Sequence, residues 1–261
     1  MAAKVKRVVA ISDLHCGHFA GLTPPGYQIS AARSKTIRAV QVELWRFYAK
    51  TLESLQPVHA LLCLGDCIDA KGSRSGGTEQ LTLDMGEQCQ MAVGAISEAR
   101  AGTVVMVHGT PYHVGPDGED YERLIAREVG ATIGGHEWAE CRGLVFDLKH
   151  KVGSSSIDHG RHTAIAREKT WNELWANRNG APRADIILRG HVHYFRHCGG
   201  PGWLAMTMPA LQGFGSKYGV RQCSGIVDVG LVSFDIYPDG RYTWEAHLLP
   251  VRAARPVPVR L

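Results

Sequence analysis

Five short fragments of this sequence carry side chains that bind metals or transfer protons. They are Asp13-Leu14-His15, Gly65-Asp66-Cys67-Ile68-Asp69, Gly109-Thr110-Pro111-Tyr112-His113, His150 and Gly190-His191-Val192-His193. Carboxylate oxygens together with imidazole nitrogens suit divalent metals of the first transition series. Two such metals a few ångström apart suit the hydrolysis of phosphate esters. The residue types alone therefore indicate metal-assisted hydrolysis.

Each fragment comes at or just after the end of a short apolar run, and that position is as informative as its residue types. The runs at 8–11, 60–64, 104–108, 144–148 and 186–188 are rich in branched apolar residues and are predicted to be buried strands. Ligands in open α/β sheets bind beyond the carboxyl ends of the strands. The chemistry is therefore expected at one edge of a sheet system.

The segments between these runs are predicted to be helices. Apolar residues recur at helical spacing in 34–55, where Ser34 is a candidate N-cap, and helices are also predicted at 78–100, 119–129 and 164–177. We expect Trp171, Leu174 and Trp175 to pack into the protein. Strands are predicted at 203–208, 225–237 and 241–249, and the turn Pro238-Asp239-Gly240 joins the last two as a hairpin. This order predicts mixed sheets with helices outside.

Composition narrows the functional classes. The 261 residues carry 44% hydrophobic and 21% charged residues, which favours a folded chain with a large core. The net charge of +4 permits an anionic substrate but lacks the strong, clustered excess of a typical nucleic-acid-binding domain. The seven cysteines have no regular spacing, and no leader or membrane span is visible. We expect reduced cysteines and a cytoplasmic location.

In this order, the fragments D-x-H, G-D-x-x-D, G-T-P-Y-H, an isolated His and G-H-x-H resemble the calcineurin-like metallophosphoesterase family. The resemblance extends from residue 13 to residue 193. It implies a four-layer α/β/β/α sandwich with mixed β-sheets, whose metal site lies at the carboxyl ends of the strands. The trailing β block resembles the second sheet of that family. We expect one metallophosphoesterase domain at 1–251 and a basic, proline-containing tail at 252–261.

The resemblance also implies a ligand set for two divalent metals. Asp13, His15 and His193 would bind the first metal, Asp66 would bridge the two, and His150 and His191 would bind the second. The metals would activate a water molecule for attack on phosphorus. Manganese is the first expectation, with iron, zinc, cobalt and nickel as alternatives.

The sequence departs from the family pattern at two places. The usual G-N-H-[D/E] is replaced by Gly109–His113, which contains no asparagine. Either Thr110 takes the place of the asparagine and His113 is the general acid, oriented by Asp69, or His113 is itself a metal ligand. The arginine that usually follows G-D-x-x-D is also absent, and Lys71 is a candidate phosphate contact in its place.

These observations predict a hydrolase that acts on a phosphate-ester substrate and favours phosphodiesters, with nucleic acid or nucleotides as candidate substrates. A phosphomonoesterase or protein phosphatase is the nearest alternative. A non-catalytic, metal-stabilised scaffold of the same fold is the alternative from a different class. No membrane partner is expected, and the oligomeric state stays open.

Overall fold

Two β-sheets lie at the centre of the computed structural model, which describes residues 4–114, 119–214, 227–252 and 258–260. The described strands are β1 (Lys6–Ile11), β2 (Ala60–Cys63), β3 (Thr103–Val107), β4 (Thr132–Gly134), β5 (Glu137–Cys141), β6 (Leu144–Lys149), β7 (Ile186–Arg189), β8 (Arg196–Gly200), β9 (Trp203–Thr207), β10 (Val229–Ile236) and β11 (Tyr242–Leu249). The described α-helices are α1 (Lys35–Ser54), α2 (Met85–Ser97), α3 (Pro111–Val114), α4 (Tyr121–Glu128) and α5 (Asp158–Asn177).

Both sheets are mixed. The first has the order β11-β10-β1-β2-β3-β4, in which β1 to β4 run parallel and β10 lies antiparallel to both β1 and β11. The second has the order β5-β6-β7-β9-β8, with β6, β7 and β9 parallel and antiparallel strands at its edges. The predicted mixed β-sheets are confirmed.

Side chains alternate along β1 and β2 between two apolar layers. Val8 and Ala10 of β1, with Leu62 of β2, pack between the sheets against a cluster that includes Phe146 and Phe234. Their neighbours Val9, Ile11 and Leu61 point to the opposite side and pack with α1 and α2. A strand buried on both faces requires such a continuous apolar run.

A smaller apolar cluster places α5 on the outer face of the second sheet. Ile165 of α5 packs there with Ile187 of β7 and Ala205 of β9. With α1 and α2 outside the first sheet, the layers are helix, sheet, sheet and helix. This confirms the predicted four-layer α/β/β/α sandwich.

Helix α1 forms as predicted over 34–55. The Ser34 side chain accepts a hydrogen bond from the backbone N–H of Ile37 at 3.3 Å, which caps the first turn. The helix buries Val40, Leu44 and Tyr48 on one face. The Tyr48 hydroxyl donates to the carbonyl oxygen of Ala95 at 2.7 Å and links α1 to α2.

The helix predicted over 78–100 is wrong in its first part, because α2 begins only at Met85. Asp84 caps it by accepting from the N–H of Glu87 at 3.1 Å. The residues before that cap pair with the loop after β1 instead: Phe19 N–H donates to the Glu79 carbonyl and Leu81 N–H donates to the Gly17 carbonyl. The competing backbone partner explains why this segment is not helical.

The trailing β block does not form the second sheet. The hairpin of β10 and β11 is present, but it joins the first sheet, where Phe234 pairs with Val8 of β1. Only β9 of that block lies in the second sheet. The sequence analysis also omitted β4, β5 and β8. These strands are short or glycine-containing and lack the apolar alternation that marks the others.

Helix α5 presents a different face to the sheet from the one expected. Trp171, Leu174 and Trp175 are 53%, 46% and 54% exposed, so their predicted packing is wrong. The buried face instead includes Ile165 and Asn172. Asn172 donates to the Pro182 carbonyl and accepts from the Ala184 N–H, so polar contacts select this face.

Two further predictions bear on the ends and surface of the chain. Most of the predicted tail at 252–261, and the first residues of the strand predicted at 225–237, lie outside the described residues. No helix in the described part of the chain is long and apolar enough to cross a membrane.

Candidate metal centre

The carboxyl ends of strands from both sheets meet at the candidate metal centre. Asp13 and His15 follow β1, and Asp66 follows β2. His150 follows β6, and the pair His191 and His193 follows β7. Because β1 and β2 are parallel, as are β6 and β7, each sheet presents its ligand loops at a single edge.

Asp13, His15 and His193 form the first metal group. Their potential ligand atoms all lie within 4.8 Å of one another. His193 Nε2 is 3.2 Å from Asp13 Oδ1 and 3.1 Å from His15 Nε2. Nitrogen and oxygen atoms that face one common point in this way suit a divalent cation.

Asp66, His150 and His191 form the second metal group, again with ligand atoms within 4.8 Å. His150 Nε2 lies 3.1 Å from Asp66 Oδ2. This buried nitrogen makes no hydrogen bond to any described residue. A buried polar atom without a hydrogen bond is costly, so this nitrogen beside a carboxylate suits a metal ligand.

The two groups are neighbours. His15 Nε2 of the first group is 4.0 Å from Asp66 Oδ2 of the second, and His150 Nε2 of the second is 4.0 Å from Asp13 Oδ1 of the first. The two carboxylates therefore lie between the imidazoles of both groups. The donor set fits a divalent metal site.

A carboxylate that is not part of the first group forms a hydrogen bond to one of its histidines. Asp69 Oδ1 accepts a hydrogen bond from His15 Nδ1 at 2.7 Å, which leaves His15 Nε2 for a metal. Gln80 holds the other oxygen of Asp69, since its Nε2 donates to Oδ2 at 2.5 Å. A carboxylate behind a ligating histidine fixes its tautomer and raises its basicity.

His113 lies beside the first group, at the N-terminal end of the β3–α4 connection. Its Nδ1 is 3.1 Å from the Asp69 carbonyl oxygen and 3.6 Å from Asp69 Oδ1. Its ring meets the ring of His15 edge-on at 4.7 Å. His15, Asp69 and His113 also form a third group of potential ligands. The geometry thus leaves both predicted roles of His113 available.

Thr110 supports the second group through Asp66. Its backbone N–H donates to Asp66 Oδ1 at 2.6 Å, and its hydroxyl lies 2.8 and 2.9 Å from the two carboxylate oxygens. Thr110 therefore contacts the carboxylate at the position where the family has asparagine. Lys71, the other candidate phosphate contact, is exposed on the loop after Asp69.

Most of the ligand residues have an unusual backbone. Asp13, His15, Asp66, His191 and His193 all have positive φ, between 45° and 74°. Residues other than glycine rarely adopt this left-handed conformation, and where they do so the surrounding structure imposes it, often at functional sites.

Glycines allow the ligand loops to approach one another. A Cβ atom at Gly190 would lie 2.3 Å from Ser12 Oγ, and one at Gly109 would lie 2.1 Å from Asp66 Oδ1. Only glycine fits at such distances. The approach at Gly190 lets the N–H of His191 donate to the Asp13 carboxylate at 3.0 Å, which joins the two sheets at the site.

Burial and nearby charges shift the pKa values of three histidines at the site in different directions. Burial opposes the charge of His150, but the carboxylates of Asp66 and Asp13 raise the pKa of His150 to about 10. Burial likewise opposes the charge of His15, yet Asp69 and the other carboxylates raise its pKa to about 8. Burial and the nearby charge of His150 lower the pKa of His191 to about 4. The buried carboxylates therefore favour positive charge at the histidine positions, which a bound cation could supply in place of protons.

Glu122 is a buried residue near this site that the sequence analysis missed. It lies in the first turn of α4 and accepts hydrogen bonds from the N–H groups of Cys67 and Gly109. Burial, with the charge of Asp66, raises the pKa of Glu122 to about 7. An acidic residue in the first turn of a helix is common, so the sequence offered no distinct signal for this role.

Comparisons with known proteins show the fold. No protein-family model and no curated protein matches the sequence. The chain is similar to the structure of vacuolar protein sorting 29 from Cryptosporidium parvum, with 11% identity, a TM-score of 0.50 and coverage of 95% of this chain and 99% of that one. This likeness supports the four-layer α/β/β/α sandwich described above.

Two more distant likenesses have lower TM-scores. A novel archaeal phosphodiesterase is 12% identical over 92% of this chain and 99% of that one, with a TM-score of 0.45. The zinc complex of Vps29 from Entamoeba histolytica is 13% identical over 92% and 97% of the two chains, with a TM-score of 0.43.

Proposed function

We propose that this protein hydrolyses phosphate esters at a dinuclear metal centre and prefers phosphodiesters. The observation that carries this proposal is the adjacency of the two ligand groups, in which Asp13 and Asp66 each lie within 4.0 Å of imidazole nitrogens from both groups. Two neighbouring His/Asp sites suit in-line displacement at phosphorus. Manganese is the metal we expect, with iron, zinc, cobalt and nickel as alternatives.

The bound metals would supply Lewis acidity, which lowers the pKa of a water nucleophile and neutralises charge on the phosphoryl oxygens. The side chains of the protein have other tasks. Asp13 and Asp66 supply the negative charge that attracts the cations. Asp69 and the carbonyl oxygen of Leu64 hold His15 and His150 in place through their Nδ1 atoms.

His113 is the proposed proton donor to the leaving alkoxide. Its Nδ1 faces the Asp69 carbonyl oxygen, so Nε2 is the atom that exchanges a proton with substrate. Burial lowers the pKa of His113 in the metal-free protein, and Asp66 and Asp69 oppose that decrease. The negative charge of a bound phosphate ester would favour the protonated ring still further.

The charge of the site favours diesters over monoesters. Lys71, the cationic phosphate contact predicted from the sequence, is exposed on the loop after Asp69. A diester carries one negative charge, whereas a monoester carries up to two and demands more positive charge for binding. Nucleic acid and nucleotides are the substrate class with this chemistry, and the net charge of +4 is compatible with it.

The direct test compares hydrolysis of bis-p-nitrophenyl phosphate and p-nitrophenyl phosphate by chelator-stripped protein reloaded with manganese. We expect diester turnover that requires metal, and a fall in kcat of about 100-fold or more in His113→Ala. A preference for the monoester would indicate that the protein is a phosphatase and not a phosphodiesterase. Full diester activity in His113→Ala would remove His113 as proton donor.

A metal-stabilised scaffold is the second candidate function. Thr110 favours it, because its hydroxyl contacts Asp66 where the family pattern has an asparagine ligand. The fold also occurs in a vacuolar protein sorting protein. Two bound metals without turnover of either ester would support this function, whereas metal-dependent turnover would exclude it.

A further inference from the structure

Glu122 connects two loops that meet at the metal centre. Its side chain is fully enclosed, with 0% exposure. Oε1 accepts a hydrogen bond from the N–H of Cys67 at 2.9 Å, and Oε2 accepts one from the N–H of Gly109 at 2.6 Å. Each carboxylate oxygen therefore binds a different loop, one after β2 and one after β3.

The same two loops converge on Asp66. Cys67 directly follows Asp66, and Gly109 directly precedes Thr110, whose N–H and hydroxyl contact the Asp66 carboxylate. The absence of a side chain at Gly109 brings its backbone against Asp66. Glu122 thus holds the two loops on one side of Asp66, and Thr110 holds the carboxylate on the other.

A carboxylate is the side chain that suits this place. Two buried N–H groups need two acceptors, and an unpaired buried donor costs about 1–3 kcal/mol. A carboxylate offers an acceptor to each N–H, whereas a carboxamide offers one oxygen and turns an NH2 group towards the other donor. The hydrogen bonds from Cys67 and Gly109 compensate the burial of this carboxylate, so its placement depends on both loops.

We propose that Glu122 is a positioning residue that fixes Asp66 for binding metal in the second group. The proposal rests on the metal centre described under the proposed function. Neither Cys67 nor Gly109 belongs to the loops that carry Asp13, His15 and His193. Asp66 Oδ2 lies 3.1 Å from His150 Nε2 of the second group but 4.0 Å from His15 Nε2 of the first. Loss of the Glu122 contacts should therefore weaken the second group more than the first.

Metal binding to the full chain tests this selectivity. Chelator-stripped protein is titrated with manganese by calorimetry, and the two binding steps are assigned with His193→Ala for the first group and His191→Ala for the second. In Glu122→Gln we expect about a 10-fold or greater loss of affinity in the second step. The first step should weaken by a clearly smaller factor.

Two matched variants separate positioning from general destabilisation. Glu128→Gln changes an exposed glutamate on the same helix and should alter neither step. Glu122→Asp keeps both acceptor oxygens on a shorter side chain and should restore part of the affinity that Glu122→Gln loses. Equal weakening of both steps in Glu122→Gln, or no change in either, would overturn the proposal.

The test does not depend on turnover. Wild-type protein that binds two metals without hydrolysing esters would refute the proposed function and leave the positioning role intact. Active wild-type protein together with unchanged binding in Glu122→Gln would do the reverse. Wild-type protein that binds no manganese, zinc or cobalt would refute both.

Discussion

The two metal groups contain similar ligands but are supported in different ways. In the first group, the carboxylate of Asp69 accepts a hydrogen bond from His15, and Gln80 donates one to Asp69. In the second group, the main-chain carbonyl of Leu64 lies behind His150, and Thr110 contacts Asp66. A charged support raises the basicity of a ligating histidine more than a neutral carbonyl does.

The two groups should therefore respond to different mutations. The first group depends on side chains that a point mutation can remove. The second depends on backbone geometry, on glycine at 109 and on the buried clamp of Glu122. Loss of a residue that supports one group should therefore weaken that group more than the other.

The largest effect should come from removing the carboxylate that each group contributes. Asp13→Asn and Asp66→Asn should each reduce diester hydrolysis to near background, because each carboxylate lies close to the imidazoles of both groups. Steady-state kinetics with manganese would measure this loss. Circular dichroism and thermal unfolding should show that both variants keep the fold.

Substantial activity in either Asn variant would contradict the shared role of the two carboxylates. It would also show that one metal group suffices for hydrolysis. The comparison of the two groups would then describe a catalytic site and a structural one.

Metal affinity should depend strongly on pH, because nearby carboxylates favour the protonated forms of two histidine ligands. Metal binding requires neutral imidazoles, whereas the pKa of His15 is raised to about 8 and that of His150 to about 10 in the metal-free protein. Manganese affinity should therefore rise with pH between 6 and 9, and binding at pH 7 should release protons. Calorimetry in buffers of different ionisation enthalpy measures that release.

Stability should show opposite pH trends with and without metal. The folded-state pKa values of His15 and His150 both lie above the ordinary histidine value of 6.5. The two protonated histidines therefore contribute fully to the free energy of unfolding below pH 6.5, and this contribution is lost as the pH rises through 8 and then 10. The Tm of the metal-free protein should fall across this window. Metal-loaded protein, whose ligands must be deprotonated, should not lose stability there, and parallel curves would contradict the prediction.

A moderate effect on metal binding should follow from removing the charge of Asp69, which supports the first group. Asp69→Asn should weaken metal binding in that group by about 10–100-fold, because His15 loses its carboxylate partner. The second group should change far less. Separate binding steps in a manganese titration would show the selectivity, and equal weakening of both would show that the groups act as one unit.

The smallest effect should come from Thr110→Asn, which restores the residue that the family pattern has there. An amide oxygen near Asp66 would add a neutral ligand to the second group, so we expect a modest gain in affinity for that step. Thr110→Val, which keeps the size but not the hydroxyl, serves as the matched control. A loss in both variants would show that the hydroxyl contact to Asp66 matters more.

Much of the sandwich could be predicted from the sequence. The residues predicted as ligands also lie close together in the structure, because each follows an apolar run and strand ends gather at one edge. Other features follow from tertiary contacts. The pairing of β10 with β1 is a long-range choice, and β8 is held by backbone pairing to β9 although its sequence is Arg-His-Cys-Gly-Gly. Glu122 was missed because its partners are backbone N–H groups.

The hydrogen bond between the His191 N–H and the Asp13 carboxylate connects two parts of the chain that are synthesised far apart in time. Each metal group contains a residue from the loop after β7, so neither group is complete until residue 191 or 193 has left the ribosome. A shorter nascent chain exposes aspartates and histidines but offers no closed site. Loading with metal therefore follows synthesis of nearly three quarters of the chain, and any fragment that ends before β7 should lack both sites.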